Sequence, residues 1–350
     1  MPARLPALSP LNSAASLFMA MALSACGKFP APSETTLRIT GSTMGTYYRV
    51  TLASRPGTLT EGMLRNDLTT RLEKINSLMS TYKKDSEVSR FNRSSGAKWF
   101  PVSEETATVV AEALRIFEQS DGAFDITVGP LVNLWGFGPA ESSGQIPSAE
   151  SISAALEKTG SEKLQVQLSP PAIKKELSDL QIDLSGIAKG YAVDTVALML
   201  DSLGATDYLV DIGGEMRSSG YKAESVPWKI AIESPTAHRR GIQKVLALRD
   251  LAIATSGDYR NYFEKEGRRY SHEIDPGTGR PIQHNLLSVS VLGTDCMTAD
   301  AWATAFIILG PERGRELAEK FRLTALFIVR DREGFREIES SGFKRFIEEQ

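Results

Sequence analysis

The chain has 350 residues, with 40 Lys and Arg against 43 Asp and Glu, a formal net charge of −3, and hydrophobic residues making up 41% of it. That near balance, with an isoelectric point of about 5.8, excludes a nucleic-acid binder, which needs an excess of Lys and Arg gathered on one face. Two Cys and three His exclude a zinc finger, an iron–sulfur scaffold and a disulfide framework, while the length allows one large domain or two closely packed ones.

Arg4 precedes an apolar run from Ala14 to Leu23, which is shorter than the roughly 20 residues a membrane-spanning helix needs and is followed by Ser24, Ala25 and Cys26. Residues 1–25 therefore read as an export signal. Leu23–Ser24–Ala25–Cys26 resembles the bacterial lipobox, in which the Cys becomes the acylated first residue, although an ordinary secretory signal with an incidental Cys is the alternative. Acylation of Cys26 would leave Cys296 as the single thiol and rule out an intramolecular disulfide. Residues 26–36, rich in Pro, Ser and small side chains, read as a tether, and 37–350 as the globular body.

Within that body, Leu64, Leu68, Leu72, Ile75 and Met79 recur at helical spacing, as do Val109, Ala113, Ile116 and Phe117 in a segment that ends at Asp121–Gly122. A third helix is expected from about Gly190 to Leu203, with Val193, Val196, Ala197 and Leu200 inward and Gly204 as its stop. Strands are expected at 180–184, 208–212, 229–233, 251–254, 287–292 and 325–329. Without a regular βα alternation, these elements predict an α+β fold of mixed or antiparallel sheets packed with helices.

Polar and Gly-rich clusters fall between the elements. Ile182 to Tyr191 runs from a strand end through Gly186 into a helix start, where glycine lets the backbone approach a ligand and helix N–H groups favour phosphate oxygens. It has neither P-loop nor GxGxxG spacing, and a purely structural turn is the competing explanation. Asp211 to Glu215 is a similar tight turn. Asp300 and Thr304, four apart, project from one helix face and with a nearby carbonyl would make a hard oxygen site suited to Mg²⁺. Alternatively, Asp300 complements the helix dipole and Thr304 bonds back along the helix. His272 is a candidate general base, whereas His238 and His284 sit in polar contexts with no partner motif.

Taken together and in order, Gly41 to Thr46, Ser80 to Tyr82 with Ser86 to Asn92, Gly122 to Pro130, Ile182 to Asp194, Val210 to Gly214, Ser271 to Pro281 and Thr298 to Thr304 resemble the ApbE family of FAD:protein FMN transferases. The resemblance runs from Gly41 to about Phe346. It implies a T-fold-like architecture with a central FAD cleft lined by Met44, Tyr82, Ala123, Phe124, Asp125, Asp183, Lys189 and Ile274. It also implies Mg²⁺ held by Asp300, Thr304 and the Gly186 carbonyl, with His272 assisting proton removal. Ala303 stands where some relatives carry a second carboxylate, so the metal shell would rely on waters and pyrophosphate oxygens.

The implied reaction moves FMN from FAD to a Ser or Thr hydroxyl of an acceptor protein and releases AMP. Family acceptors are subunits of membrane redox complexes of the Na⁺-translocating quinone reductase and Rnf types. The implied location is the bacterial cell envelope, lipid-anchored to the membrane with the body facing the periplasm. Rival readings are a FAD pyrophosphatase, a flavin-binding lipoprotein without catalysis and a lipid-anchored structural protein.

Overall fold

The computed structural model describes residues 36–96, 98–139, 145–235, 241–258, 262–332 and 334–348; the export signal, Cys26, the tether as far as residue 35, and His238 lie outside the described residues. Eight strands form one sheet: Leu37–Thr43, Thr46–Leu52, Tyr208–Ile212, Glu215–Ser219, Ala252–Gly257, Leu286–Gly293, Thr324–Asp331 and Gly334–Glu339. They are hydrogen-bonded in that order and every pair is antiparallel. Order in space thus follows order in the chain. The long insertions between neighbouring strands carry the helices and most of the polar clusters.

Alternation along the strands sorts their side chains into two cores. In Thr324–Asp331, Ala325, Phe327 and Val329 face the helices, while Leu326 and Ile328 face the hairpin Trp228–Glu233/Ile242–Leu248 and Phe343 of the helix Ser341–Glu348. A third cluster joins Leu131, Trp135 and Ile152 to Tyr270 and Ile274, with the Trp135 indole N–H donating to Gly279 O at 2.8 Å.

The helical expectations hold in their inward faces. The helix Glu61–Met79 buries Leu64, Leu68, Leu72, Ile75 and Met79, and Thr60 caps its start by accepting from Met63 N. In Glu104–Gln119 the buried set is Val109, Val110, Ala113 and Ile116 with Thr106 and Ala107. Phe117 is only half-buried, at the last turn of the helix, while Val110 two turns earlier on the same face is buried. Asp121 and Gly122 end that segment at φ 55° and 83°. Ala188–Ser202 begins two residues earlier than expected, buries Val193, Val196, Ala197 and Leu200, and is followed by Gly204 at φ 81°.

Five of the expected strands form. The segment 180–184 does not; it is extended but has no strand neighbour. Its backbone is satisfied instead by the Asn92 carboxamide at Ile182 and by Ile126 O, which accepts from Asp183 N at 2.7 Å.

The helix Ala188–Ser202 lies against Cys296–Lys320, a long element bent at Gly310 (φ 77°) and Pro311. Asp295 caps the second helix, and the buried Asp194 carboxylate of the first accepts both Cys296 N and Met297 N while pairing with Arg217 at 2.7 Å. At Gly190 the helices leave no room for a side chain: an added Cβ would overlap Cys296 O and come within 2.8 Å of Asp300 Cβ. Gly190→Ala must therefore push the helices apart. Overpacking of this kind costs about 1–3 kcal/mol, so a urea melt should show that loss, and the displaced Asp300 should lower activity further than the fraction unfolded explains. An unchanged melt would show that the two helices tolerate separation.

Candidate functional site

A cleft of about 1090 Å³ opens beside the starts of these two helices. Met44, Tyr82, Ala123, Phe124, Asp125, Asp183, Gly186, Lys189, His272, Ile274, Asp300 and Thr304 all line it, so the structure brings together every described residue that the sequence nominated for the site.

Each arrives by a local device. Met44 (φ 51°) and Gly45 (φ 73°) form the two-residue turn between Thr43 and Thr46, and both left-handed residues suit the twist of a tight hairpin. A left-handed Met costs of order 1–3 kcal/mol, a strain placed on the cleft rim. The Asp125 carboxylate accepts from Thr127 N, Thr127 Oγ1, Ser161 N and Ser161 Oγ, which commits it to structure. Asp183 Oδ1 accepts from Ser185 N at 2.8 Å and Ser185 Oγ at 2.5 Å, turning the chain toward Gly186. Tyr82 is exposed, and its hydroxyl reaches across to donate to Phe137 O at 3.3 Å.

The helix start at Ala188 differs from its sequence reading as a phosphate site. Ala188 N already donates to Leu184 O at 2.8 Å and Gly190 N to Asp300 Oδ2 at 2.9 Å. Positive charge at this wall comes from the Lys189 ammonium. It lies 2.7 Å from Glu215 Oε1 and 3.5 Å from Asp300 Oδ1. Both carboxylates are buried while Lys189 is half-buried. Burial pushes Glu215 up to about 7, with Lys189 pulling against it and the Asp300 charge adding to the rise. Lys189 itself is held well above its ordinary value by the two acids, despite desolvation working the other way.

Glu215 and Tyr47 also line the cleft and were missed from sequence. The signal for Glu215 was an acid placed directly after a Gly–Gly turn, on a strand whose neighbours face the core. Tyr47 is signalled only by its place in the alternating strand after the Met44 turn; its phenol is pushed up by burial and by its hydrogen bond to Asp211.

Thr304 Oγ1 lies 3.4 Å from Gly186 O and 3.4 Å from Ser256 Oγ, so it turns to a neighbouring loop and strand, against the alternative of bonding back along its own helix. Among the described residues no three His, Cys, Asp or Glu side chains gather at metal-ligand spacing. The available donors are a mixed hard-oxygen set: the Asp300 carboxylate, the Thr304 hydroxyl and the Gly186 carbonyl, with the buried Glu215 Oε2 lacking any hydrogen-bond partner beside them. This set fits a small hard divalent cation. Ala303 is fully buried in the helix-side core and does not border the cleft.

His272 is half-buried, with Nε2 3.5 Å from Glu273 Oε1 and its ring steeply inclined to that of Phe137, centroids 6.3 Å apart. Burial raises the Glu273 carboxyl above its ordinary value. His284 accepts from Leu286 N and packs against Gly310, a structural position.

The ApbE family profile matches residues 44–327. A FAD:protein FMN transferase of Vibrio cholerae is 46% identical over 325 residues, covering 93% of this chain and 96% of its own length. One from Escherichia coli K12 is 43% identical over 330 residues, covering 92% and 93%. Among solved structures, the flavin transferase ApbE from V. cholerae superposes with a TM-score of 0.83 at 46% identity, over 89% of this chain and 99% of its own. The ApbE protein from Thermotoga maritima gives 0.78 at 30% identity, over 89% and 99%.

The ion cluster makes a pH-dependent prediction. Lys189→Met leaves Glu215 and Asp300 facing one another without a cation, so the Glu215 carboxyl, already raised to about 7 with Lys189 pulling against the rise, climbs further above its value in the unfolded chain. Stability is then lost as pH climbs through that range. Urea melts should show a deficit of about 3–5 kcal/mol at pH 8, and a smaller one at pH 5, where protonation removes one charge. Equal deficits at both pH values would mean that lost packing, and not charge, is responsible.

Proposed function

The chain belongs to the ApbE family, and from that premise we propose that it is a FAD:protein FMN transferase working at the Lys189–Asp300–Thr304 wall of the cleft. The observation that carries this reading is convergence: a cation, a hard-oxygen set and one imidazole meet on a single cleft large enough for a dinucleotide.

In the reaction, the hydroxyl of an acceptor Ser or Thr attacks the phosphorus on the riboflavin side of the FAD pyrophosphate. An acceptor O–P bond forms, the bridging P–O bond breaks, and AMP leaves with the electron pair. His272 takes the hydroxyl proton. Lys189 supplies the positive charge of the wall and holds Asp300 in place through their ion pair. Asp300, Thr304 and the Gly186 carbonyl would hold Mg²⁺, whose contribution is charge compensation for the pyrophosphate. Met44, Tyr82, the backbone of Ala123 to Asp125, Asp183 and Ile274 would bound the rest of FAD.

The export signal and Cys26 belong to the same proposal, since a lipid anchor on the periplasmic side of the envelope keeps the body close to acceptors in membrane redox complexes of the quinone reductase or Rnf type.

The test is incubation of protein lacking residues 1–26 with FAD, Mg²⁺ and an acceptor domain, followed by intact mass, in-gel flavin fluorescence and AMP analysis. Covalent FMN with matching AMP is expected. AMP without an adduct would make the protein a FAD pyrophosphatase, and neither product across several acceptors would overturn the enzyme assignment. His272→Ala should lower kcat about 100-fold or more with little change in FAD affinity; weakened binding at constant kcat would make it a binding residue.

A further inference from the structure

Asn92 does not line the cleft, yet it is the partner that the extended segment 180–184 has in place of a strand. Its Nδ2 donates to Ile182 O at 2.9 Å and its Oδ1 accepts from Ile182 N at 2.8 Å, so one carboxamide reproduces both bonds of a ladder pair. Asn92 is itself fastened. The ammonium of the fully buried Lys175 donates to Asn92 O at 2.9 Å and to Leu180 O at 3.0 Å. Next along the chain, Asp183 N donates to Ile126 O, and the Asp183 carboxylate folds the turn that delivers Gly186 O to Thr304.

We infer that Asn92 is a positioning residue for the transfer reaction: it sets the register of the Asp183–Gly186 loop, and through it the Gly186 carbonyl against Thr304 and the Asp183 side of the FAD site. The inference rests on the function proposed above. The physical reasoning is that a segment without a strand partner is placed by its few fastenings, and among these only the Asn92 carboxamide holds both polar groups of one residue, between Lys175 at Leu180 O and Ile126 O at Asp183 N. Losing the carboxamide frees both polar groups of Ile182 at once, and the loop can slide by a fraction of a residue. Asn92→Asp keeps the acceptor for Ile182 N but sets a carboxylate oxygen against Ile182 O, so it loosens the same pair while leaving the side-chain shape unchanged.

The experiment compares wild type, Asn92→Ala, Asn92→Asp and Leu326→Ala, a core truncation on the opposite face of the sheet. Readouts are the melting temperature, the FAD dissociation constant without acceptor, the Mg²⁺ concentration giving half-maximal transfer, and hydrogen exchange at residues 182–186. Asn92→Ala should raise the FAD constant and the half-maximal Mg²⁺ about 10-fold and lower kcat up to about 100-fold, with faster exchange confined to 182–186. Asn92→Asp should shift the same readouts in the same direction, and it carries the same test if the Ala variant does not fold. Leu326→Ala should lower the melting temperature and leave the other readouts unchanged. The inference is overturned if the folded Asn92 variants keep wild-type FAD and Mg²⁺ dependence, or if Leu326→Ala shifts those values equally. Absence of transfer in the wild type would instead defeat the functional proposal, while FAD affinity and exchange at 182–186 would still decide the role of Asn92.

Discussion

The placement of one ammonium between two buried carboxylates is what the cleft depends on. Lys189 stands on the helix Ala188–Ser202, Glu215 opens a strand of the main sheet, and Asp300 stands on the helix Cys296–Lys320. Three elements thus meet at three charges. Taking ionised groups out of water costs several kcal/mol each, and only good pairing offsets it, so any separation of these elements exposes an uncompensated charge. Asp300 tightens the arrangement with its second oxygen, which accepts Gly190 N and bonds the two helices directly.

The same helix is held at its N-terminal end by three carboxylates from three parts of the chain. Asp295 accepts Thr298 N, Asp194 accepts Cys296 N and Met297 N, and Glu112 of the helix Glu104–Gln119 accepts the Thr298 hydroxyl at 2.8 Å. Negative groups at a helix start answer both its unpaired N–H groups and its dipole. The consequence is positional. Asp300 and Thr304 stand on the turns that follow and inherit that rigidity, whereas Tyr82, Phe137 and Met44 belong to turns and loops at the rim, where shape can vary without disturbing the oxygen set.

This division explains what could be read from sequence. Helices with a long inward stripe, such as Leu64 to Met79, were legible because burial imposes a period close to 3.6. Asp300 and Thr304 were legible as a pair for the same reason. The 180–184 segment was misread because its alternation is real but its hydrogen-bonding partner is a side chain 90 residues earlier in the chain, which no local pattern reveals. Glu215 escaped because an acid beside a Gly–Gly turn looks solvent-facing; only the sheet shows it buried against Lys189. Ala303 was weighed as a missing ligand, but a residue three along from Asp300 on this helix turns into the core, and the second carboxylate at the wall comes from another element altogether.

Charge balance at that wall then constrains the chemistry. With all three groups ionised, Lys189, Glu215 and Asp300 sum to one negative charge, and the pyrophosphate of a dinucleotide would add about two more. A single lysine therefore cannot make the wall attractive to its substrate. Protonation of Glu215, which burial favours by raising it to about 7, brings the wall only to neutrality, whereas a divalent cation held by the oxygens of Asp300, Thr304 and Gly186 would make it positive. The two routes differ in their coupling to binding: the first would lose affinity as pH rises, while the second would couple nucleotide to metal, each supplying the charge the other lacks. The free Oε2 of Glu215 serves both routes, as a protonation site in one and as an added negative charge facing the cation in the other.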